Sequence, residues 1–97
     1  MRLRWTRPAL RDLSDIHAYI AERDTAAALR VIRLLRAQAD GLAVHSHMGR
    51  EGLVEGAREL VVPGLPFLIA YRVTEEFVDI LALRHGARLW PGRLPAT

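Results

Sequence analysis

Three hydrophobic segments in the second half of the chain constrain its fold most. Their connections are too short for anything except antiparallel neighbours in one sheet. The segments cover residues 56–62, 67–73 and 77–85. Each contains an arginine, namely Arg58, Arg72 and Arg84. Because an unpaired buried charge is costly, at least one face of this sheet should be polar and solvated, and we expect it to attract an anionic partner.

The first half of the chain predicts a short strand followed by two helices. Residues 2–5 alternate between polar and apolar side chains, as a strand does. Thr6 or Arg7 is the expected N-cap of the first helix, and Asp24 is that of the second, which should cover residues 26–43. The predicted order is β-α-α-β-β-β. It indicates an α+β domain in which a helical hairpin packs on one face of a small antiparallel sheet.

Size and composition fit one small domain. The chain has 97 residues, of which 51% are hydrophobic, enough for a modest core. We expect residues 1–91 to form this domain and residues 92–97 to form a C-terminal tail. Cysteine is absent, which excludes disulfides, thiolate zinc sites and a cysteine nucleophile. The charged N-terminal segment lacks a long apolar stretch, so we predict no membrane association and a cytoplasmic location.

The charge balance suggests an anionic partner. All 14 basic residues are arginines, and the formal net charge is +3. A guanidinium group binds phosphates and carboxylates with two parallel hydrogen bonds and stays charged near neutral pH. Nucleic acid, an acidic protein, or both would fit such a domain, and charge alone does not choose between them.

Several short motifs occur in a characteristic order along nearly the whole chain. They are Trp5, ALRDL at residues 9–13, MGR at 48–50, GAREL at 56–60, YRV at 71–73 and HGAR at 85–88. In this order and at this chain length they resemble the RelE/ParE superfamily of toxins from type II toxin–antitoxin systems, and the likeness is greater to ParE-like members. The resemblance implies a fold similar to that of microbial RNases and no cofactor.

The resemblance implies one of two activities. RelE-like toxins cut mRNA on the ribosome, whereas ParE-like toxins poison DNA gyrase and generally lack the nuclease residues. Toxins of both kinds are neutralised by a small antitoxin whose C-terminal segment wraps the toxin. We therefore expect a hetero-oligomer with a cognate antitoxin, and either gyrase or the ribosome with its mRNA as the target.

A nuclease of this type would need an acid, a base and cations that stabilise the charge on the reacting phosphate. His85 is the best acid–base candidate because histidine titrates near neutral pH, and Glu59 is a second possible base. The candidate cations are Arg58, Arg72, Arg84 and Arg88. Each candidate also has an ordinary explanation. The histidine could bond the backbone, the glutamate could form an ion pair, and the arginines could bind an acidic antitoxin.

Two features favour the ParE-like interpretation. Arg84 and His85 are adjacent, so in a regular strand they point to opposite faces and cannot both line one site. The segment 65–69 also lacks the arginine that usually opens this strand in RelE-like nucleases. Trp90 only loosely matches the C-terminal aromatic residue of such nucleases. We therefore predict gyrase poisoning, with ribosome-dependent mRNA cleavage as the alternative and a purely regulatory partner as a third hypothesis.

Two further clusters have ordinary explanations. His45 and His47, with His85, could bind a transition metal, but no carboxylate pattern supports such a site and we predict no metal. The basic side chains of the second helix could touch nucleic acid, although a solvated helix face explains them equally simply. These side chains are Arg30, Arg33 and Arg36.

Overall fold

Two helices pack on a five-stranded sheet in the part of the chain that the structure describes. The structure is a computed structural model, which describes residues 1–52 and 54–86. Its elements are β1 (Arg2–Trp5), α1 (Arg7–Ala21), α2 (Thr25–Gly41), β2 (Arg50–Glu51), β3 (Arg58–Val61), β4 (Phe67–Val73) and β5 (Phe77–His85). Neither described helix is long and apolar enough to cross a membrane. The predicted α+β class and element order are confirmed, with one additional short strand.

The sheet is mixed, so the prediction of an antiparallel sheet is wrong in one respect. The strand order is β1-β5-β4-β3-β2, and β1 runs parallel to β5. A parallel neighbour requires a long crossover connection, which the two helices and the chain after them provide. The additional strand β2 pairs with the start of β3 and lies between α2 and β3, where the predicted order contains no strand.

The structure selects Thr6 over Arg7 as the N-cap of the first helix and confirms Asp24 as that of the second. The Oγ1 atom of Thr6 accepts a hydrogen bond from the backbone N–H of Ala9 at 3.3 Å and donates one to the carbonyl of Ile80 at 2.7 Å. Asp24 accepts from the N–H of Ala27 at 3.0 Å. Each cap satisfies an N–H group that has no partner within its own helix. Thr6 in addition ties the start of α1 to β5.

The hydrophobic core lies between the helices and one face of the sheet. Its buried members from the helical side are Ala9, Leu13, Leu35, Ala39 and Leu42, and those from the sheet and its connections are Leu60, Val62, Ile69, Tyr71, Val78, Ile80 and Leu83. Small side chains on the helices allow close approach to the sheet. We call the opposite side of the sheet the outer face.

A β-bulge in β5 determines which side chains reach the outer face. Tyr71 pairs with Ile80 while Ala70 pairs with Ala82, so Leu81 is an extra residue on β5. Such an extra residue resets the alternation of side chains along a strand. As a result Ile80 and Leu83 both belong to the core. Arg84, the next residue, therefore lies on the outer face.

Asp12 supplies a hydrogen-bond acceptor to the backbone of β5 beyond the end of β1. The pairing of β1 with β5 stops at Trp5 and Ile80. Further along β5, the backbone N–H of Leu83 donates to Oδ2 of Asp12 at 2.9 Å. This contact satisfies a strand N–H that β1 does not reach, and it fixes α1 against β5.

Removing this contact should weaken the fold. We expect Asp12→Ala to lower the free energy of unfolding by about 1–3 kcal/mol, because the partly buried N–H loses its acceptor. Asp12→Asn keeps an acceptor oxygen and should cost less. Asp15→Ala, at an exposed position on the same helix, should change stability by less than about 0.5 kcal/mol. Urea unfolding of the three variants measures the difference, and equal midpoints for Asp12→Ala and Asp15→Ala would contradict this role.

Candidate functional site

The outer face of the sheet presents arginines from four strands. They are Arg2 and Arg4 on β1, Arg50 on β2, Arg72 on β4 and Arg84 on β5, and all five are exposed. The strand registers place them on one side because paired residues of neighbouring strands share a face. This face is the polar, solvated side that the arginines in the sequence predicted.

Two carboxylates on the outer face are already engaged. Asp79 binds Arg4 through both oxygens, with distances of 2.7 Å to Nε and 3.1 Å to Nη2. Because the carboxylate of Asp79 accepts these hydrogen bonds, the pKa of the Arg4 guanidinium is raised above its usual value and this group stays protonated. Glu59 contacts Arg50 at 3.3 Å. Within the described residues these are the ion pairs of the structure.

Arg72 and Arg84 are the outer-face cations on the inner strands β4 and β5, and both are available to an external anion. Neither forms an ion pair within residues 1–52 and 54–86. Between them lie Ala70 and Ala82, which pair across β4 and β5. Leu68, the cross-strand partner of Arg84, is only 3% exposed. The accessible chemistry of this region is therefore mostly that of guanidinium groups, which recognise carboxylates and phosphates by charge and paired hydrogen bonds.

His85 lies on the other side of the sheet. It pairs with Phe67, and the two rings meet edge to face with centroids 5.4 Å apart. The imidazole is half-buried, and its Nδ1 atom has no hydrogen-bond partner among the described residues. Arg84 and His85 thus occupy opposite faces, as strand alternation predicted.

Arg58 does not share the surface of Arg72 and Arg84. It is the cross-strand partner of Tyr71, whose side chain lies in the core, so it points to the helical side. Its Nη1 atom donates to the carbonyl of Gly49 at 2.6 Å. The expectation that the three strand arginines form one surface therefore fails for Arg58, which supports the loop before β2. The other two candidates near the C-terminus, Arg88 and Trp90, lie outside the described residues.

The role of Tyr71 was not predicted from the sequence. This side chain is fully buried, yet its hydroxyl accepts from the N–H of Gly49 at 2.8 Å and donates to the carbonyl of Ser46 at 2.9 Å. Together with Arg58, it anchors the loop that presents the exposed His45 and His47. A tyrosine among aliphatic residues in a strand was the available signal, since a buried hydroxyl requires a partner.

Comparisons with known proteins agree with this architecture. Residues 3–90 match the family described as ParE toxin of type II toxin-antitoxin system, parDE. The candidate toxin Y4kP of Sinorhizobium fredii is 41% identical over 90 residues, which cover 93% of each chain. Toxin RelE2 of Caulobacter vibrioides is 39% identical over 85 residues, which cover 88% of this chain and 94% of the relative.

A solved structure supports the same assignment. The structure described as a chromosomal ParDE toxin–antitoxin system from P. aeruginosa contains a chain with 30% sequence identity and a TM-score of 0.78. The superposition covers 88% of this chain and 95% of that one. The predicted superfamily is confirmed, and a type II toxin implies a cognate antitoxin as partner. The chain belongs to the ParE toxin family, within the RelE/ParE superfamily of type II toxin–antitoxin systems.

Proposed function

We propose that this toxin inhibits growth by binding and poisoning DNA gyrase, without cutting RNA itself. The main support is the position of His85, which lies on the opposite face of the sheet from Arg72 and Arg84. The match of residues 3–90 to the ParE toxin family supports the choice of target. The antitoxin would neutralise the toxin by occupying the same outer-face arginines.

The separation argues against a complete nuclease site among the described residues. Cleavage of RNA needs an acid or base within hydrogen-bond reach of the reacting oxygens and cations on the same phosphate. A phosphate held by Arg72 and Arg84 would lie on the outer face, whereas the imidazole of His85 points away from it. Glu59 contacts Arg50, which leaves it a weaker candidate for a base. The arrangement is better suited to binding than to acid–base chemistry.

A binding role fits the chemistry of the outer face. Arg72 and Arg84 are exposed and lie on neighbouring strands of a rigid sheet. The sheet fixes the backbone positions of both arginines, and a planar guanidinium loses less freedom per hydrogen bond than a lysine ammonium does, which favours a specific protein interface. We infer that their partners on gyrase and on the antitoxin are carboxylates. Both partners would then compete for one surface, so that binding of the antitoxin excludes the target.

Ribosome-dependent mRNA cleavage is the second candidate function. It is supported by the relative named Toxin RelE2, which is 39% identical to this chain. In that case His85 would act as the acid or base, and the phosphate would approach the helical side of the sheet. The outer-face arginines would then serve the antitoxin alone.

Purified toxin distinguishes the two candidates. We expect it to inhibit supercoiling by gyrase and to leave ribosome-bound mRNA intact. His85→Phe, which removes the acid–base group but keeps a ring against Phe67, should remain as toxic as the wild type. Addition of the cognate antitoxin should restore supercoiling. Cleavage of mRNA by the wild type but not by His85→Phe, with supercoiling unaffected, would establish the nuclease instead.

A further inference from the structure

A second basic surface lies on α2, away from the sheet. It consists of Arg30, Arg33 and Arg36, all exposed, and we call it the α2 arginine strip. The opposite side of this helix is fixed in the protein, because Ala28 and Leu35 are completely buried. With 3.6 residues per turn, Arg33 lies about 140° around the helix from Ala28 and so points to solvent.

The arginine strip is nearly free of competing groups. Asp40, one turn beyond Arg36, is the one acidic residue of α2, and no ion pair joins it to an arginine of the strip in the described structure. The exposed side chains on the same side of α2 include Ala26 and Ala37, which are too small to screen the arginines, and Leu29. Within the described residues, the strip therefore offers three cations without an ion pair over about 9 Å of helix axis.

We propose that the α2 arginine strip binds the phosphodiester backbone of nucleic acid. Arginines three residues apart project from successive positions on the exposed side, and each can donate two hydrogen bonds to a phosphate. The small side chains of Ala26 and Ala37 beside the arginines let the backbone approach closely. Binding of this kind is electrostatic and independent of base sequence.

Two other classes of partner fit the strip less well. A protein interface normally has aromatic anchors at its centre, whereas α2 contains no aromatic residue. Its large exposed apolar side chains are Leu29, on the same side of the helix as Arg33, and Leu34, at the edge of the strip beside Arg30, and each is only about half exposed. A membrane-surface helix needs a free apolar side, but the apolar side of α2 is part of the core. An anionic polymer that needs only charge is the best match.

This proposal is independent of the proposed binding to gyrase. The α2 arginine strip lies on the helical layer, whereas Arg72 and Arg84 lie on the outer face of the sheet beneath it. Failure of the gyrase assay would leave the strip unaffected. Conversely, a toxin that binds no nucleic acid could still inhibit supercoiling.

The salt dependence of binding tests the proposal. Fluorescence anisotropy with a labelled 20-base-pair DNA duplex and with a 20-nucleotide single-stranded RNA would be measured between about 50 and 200 mM salt. The test variant is Arg30→Gln/Arg33→Gln/Arg36→Gln. The control is Arg2→Gln/Arg7→Gln/Arg23→Gln, which removes the same charge from three exposed positions outside the strip.

We expect the wild type to bind at least one of the two probes. The strip variant should bind at least about tenfold more weakly at the lowest salt. The slope of log K against log salt should fall by about 3, since each phosphate contact contributes about 0.9. The control should keep most of the wild-type affinity and most of the wild-type salt dependence. The proposal would be overturned if the wild type bound neither probe, or if the control lost as much affinity as the strip variant. Tighter binding of the wild type to polyglutamate or to anionic vesicles than to either nucleic acid would also overturn it.

Discussion

Replacing Gly49 by alanine is expected to destabilise this toxin by about 3 kcal/mol or more. A Cβ atom at this position would lie 2.7 Å from the hydroxyl oxygen of Tyr71 and 2.8 Å from the carbonyl oxygen of Glu59. Neither neighbour can move freely, because Tyr71 is fully buried and the carbonyl belongs to the backbone of β3. The substitution would therefore push the loop away from the sheet. The hydrogen bonds from Gly49 to Tyr71 and from Arg58 to Gly49 would be lost with it.

Two other variants show whether the close contacts at position 49 cause the loss of stability. Gly41→Ala adds the same methyl group where no atom lies within 4 Å of the new Cβ. Because Gly41 is the last residue of α2, this variant should be neutral or stabilising by up to about 1 kcal/mol. Tyr71→Phe removes only the hydroxyl and should cost about 1–3 kcal/mol. Urea unfolding compares the three, and a Gly49→Ala midpoint equal to that of the wild type would show that Tyr71 does not anchor the loop.

A double-mutant cycle isolates the contact with the hydroxyl of Tyr71. In the Tyr71→Phe background, the alanine at position 49 no longer meets the hydroxyl, but it still meets the Cε1 atom of the ring and the carbonyl of Glu59, each 2.8 Å from its Cβ. We expect the two substitutions together to cost less than the sum of the single effects. Full additivity would mean that the contacts with the ring carbon and the carbonyl determine the cost.

The order of elements could be predicted from the sequence because its signals are local. Thr6 and Asp24 indicate the helix starts by their residue type and position. The short turns between the last three strands indicate that these strands are antiparallel neighbours. The parallel placement of β1 could not be predicted in this way. It depends on contacts between residues more than 70 positions apart, such as Thr6 with Ile80. No local pattern in residues 2–5 specifies the neighbouring strand.

The face on which Arg84 lies was also beyond sequence reasoning. The run Ile80–Leu83 is entirely apolar, so it has no alternation that would reveal an inserted residue. The bulge at Leu81 reverses the faces of everything that follows it in β5. The alternation of side chains along a strand correctly placed Arg84 and His85 on opposite faces, because both residues follow the bulge and remain neighbours in a regular part of β5. It could not say which of the two reaches the outer face.

Arg58 shows a different limit of sequence reasoning. As an arginine in a strand it resembled Arg72 and Arg84, and charge alone placed all three together. Its actual partner is a backbone carbonyl of Gly49, nine residues earlier in the chain. Every residue has a backbone carbonyl, so residue types cannot show which arginine will bind one; only the folded structure distinguishes a supporting arginine from a binding one.

The largest functional effect is expected from Arg72→Ala/Arg84→Ala. If the outer face binds carboxylates of gyrase, this variant should inhibit supercoiling at least about 100-fold less well and should lose its toxicity. The estimate follows because loss of one hydrogen-bonded charge pair at an interface costs about 2–5 kcal/mol, and each 1.4 kcal/mol is tenfold in affinity. Stability should hardly change, since both side chains are exposed and form no ion pair among the described residues.

Arg7→Ala/Arg11→Ala is the matched control for this variant. It removes the same charge from two exposed positions on α1 and should keep both toxicity and inhibition. Affinity for the antitoxin, measured by calorimetry, adds a second test of the shared surface. Because target and antitoxin are proposed to compete for the same arginines, the Arg72→Ala/Arg84→Ala variant should bind both more weakly. A variant that loses gyrase inhibition but binds the antitoxin as tightly as the wild type would show that neutralisation occurs at another surface, since mutual exclusion at Arg72 and Arg84 requires both partners to contact them.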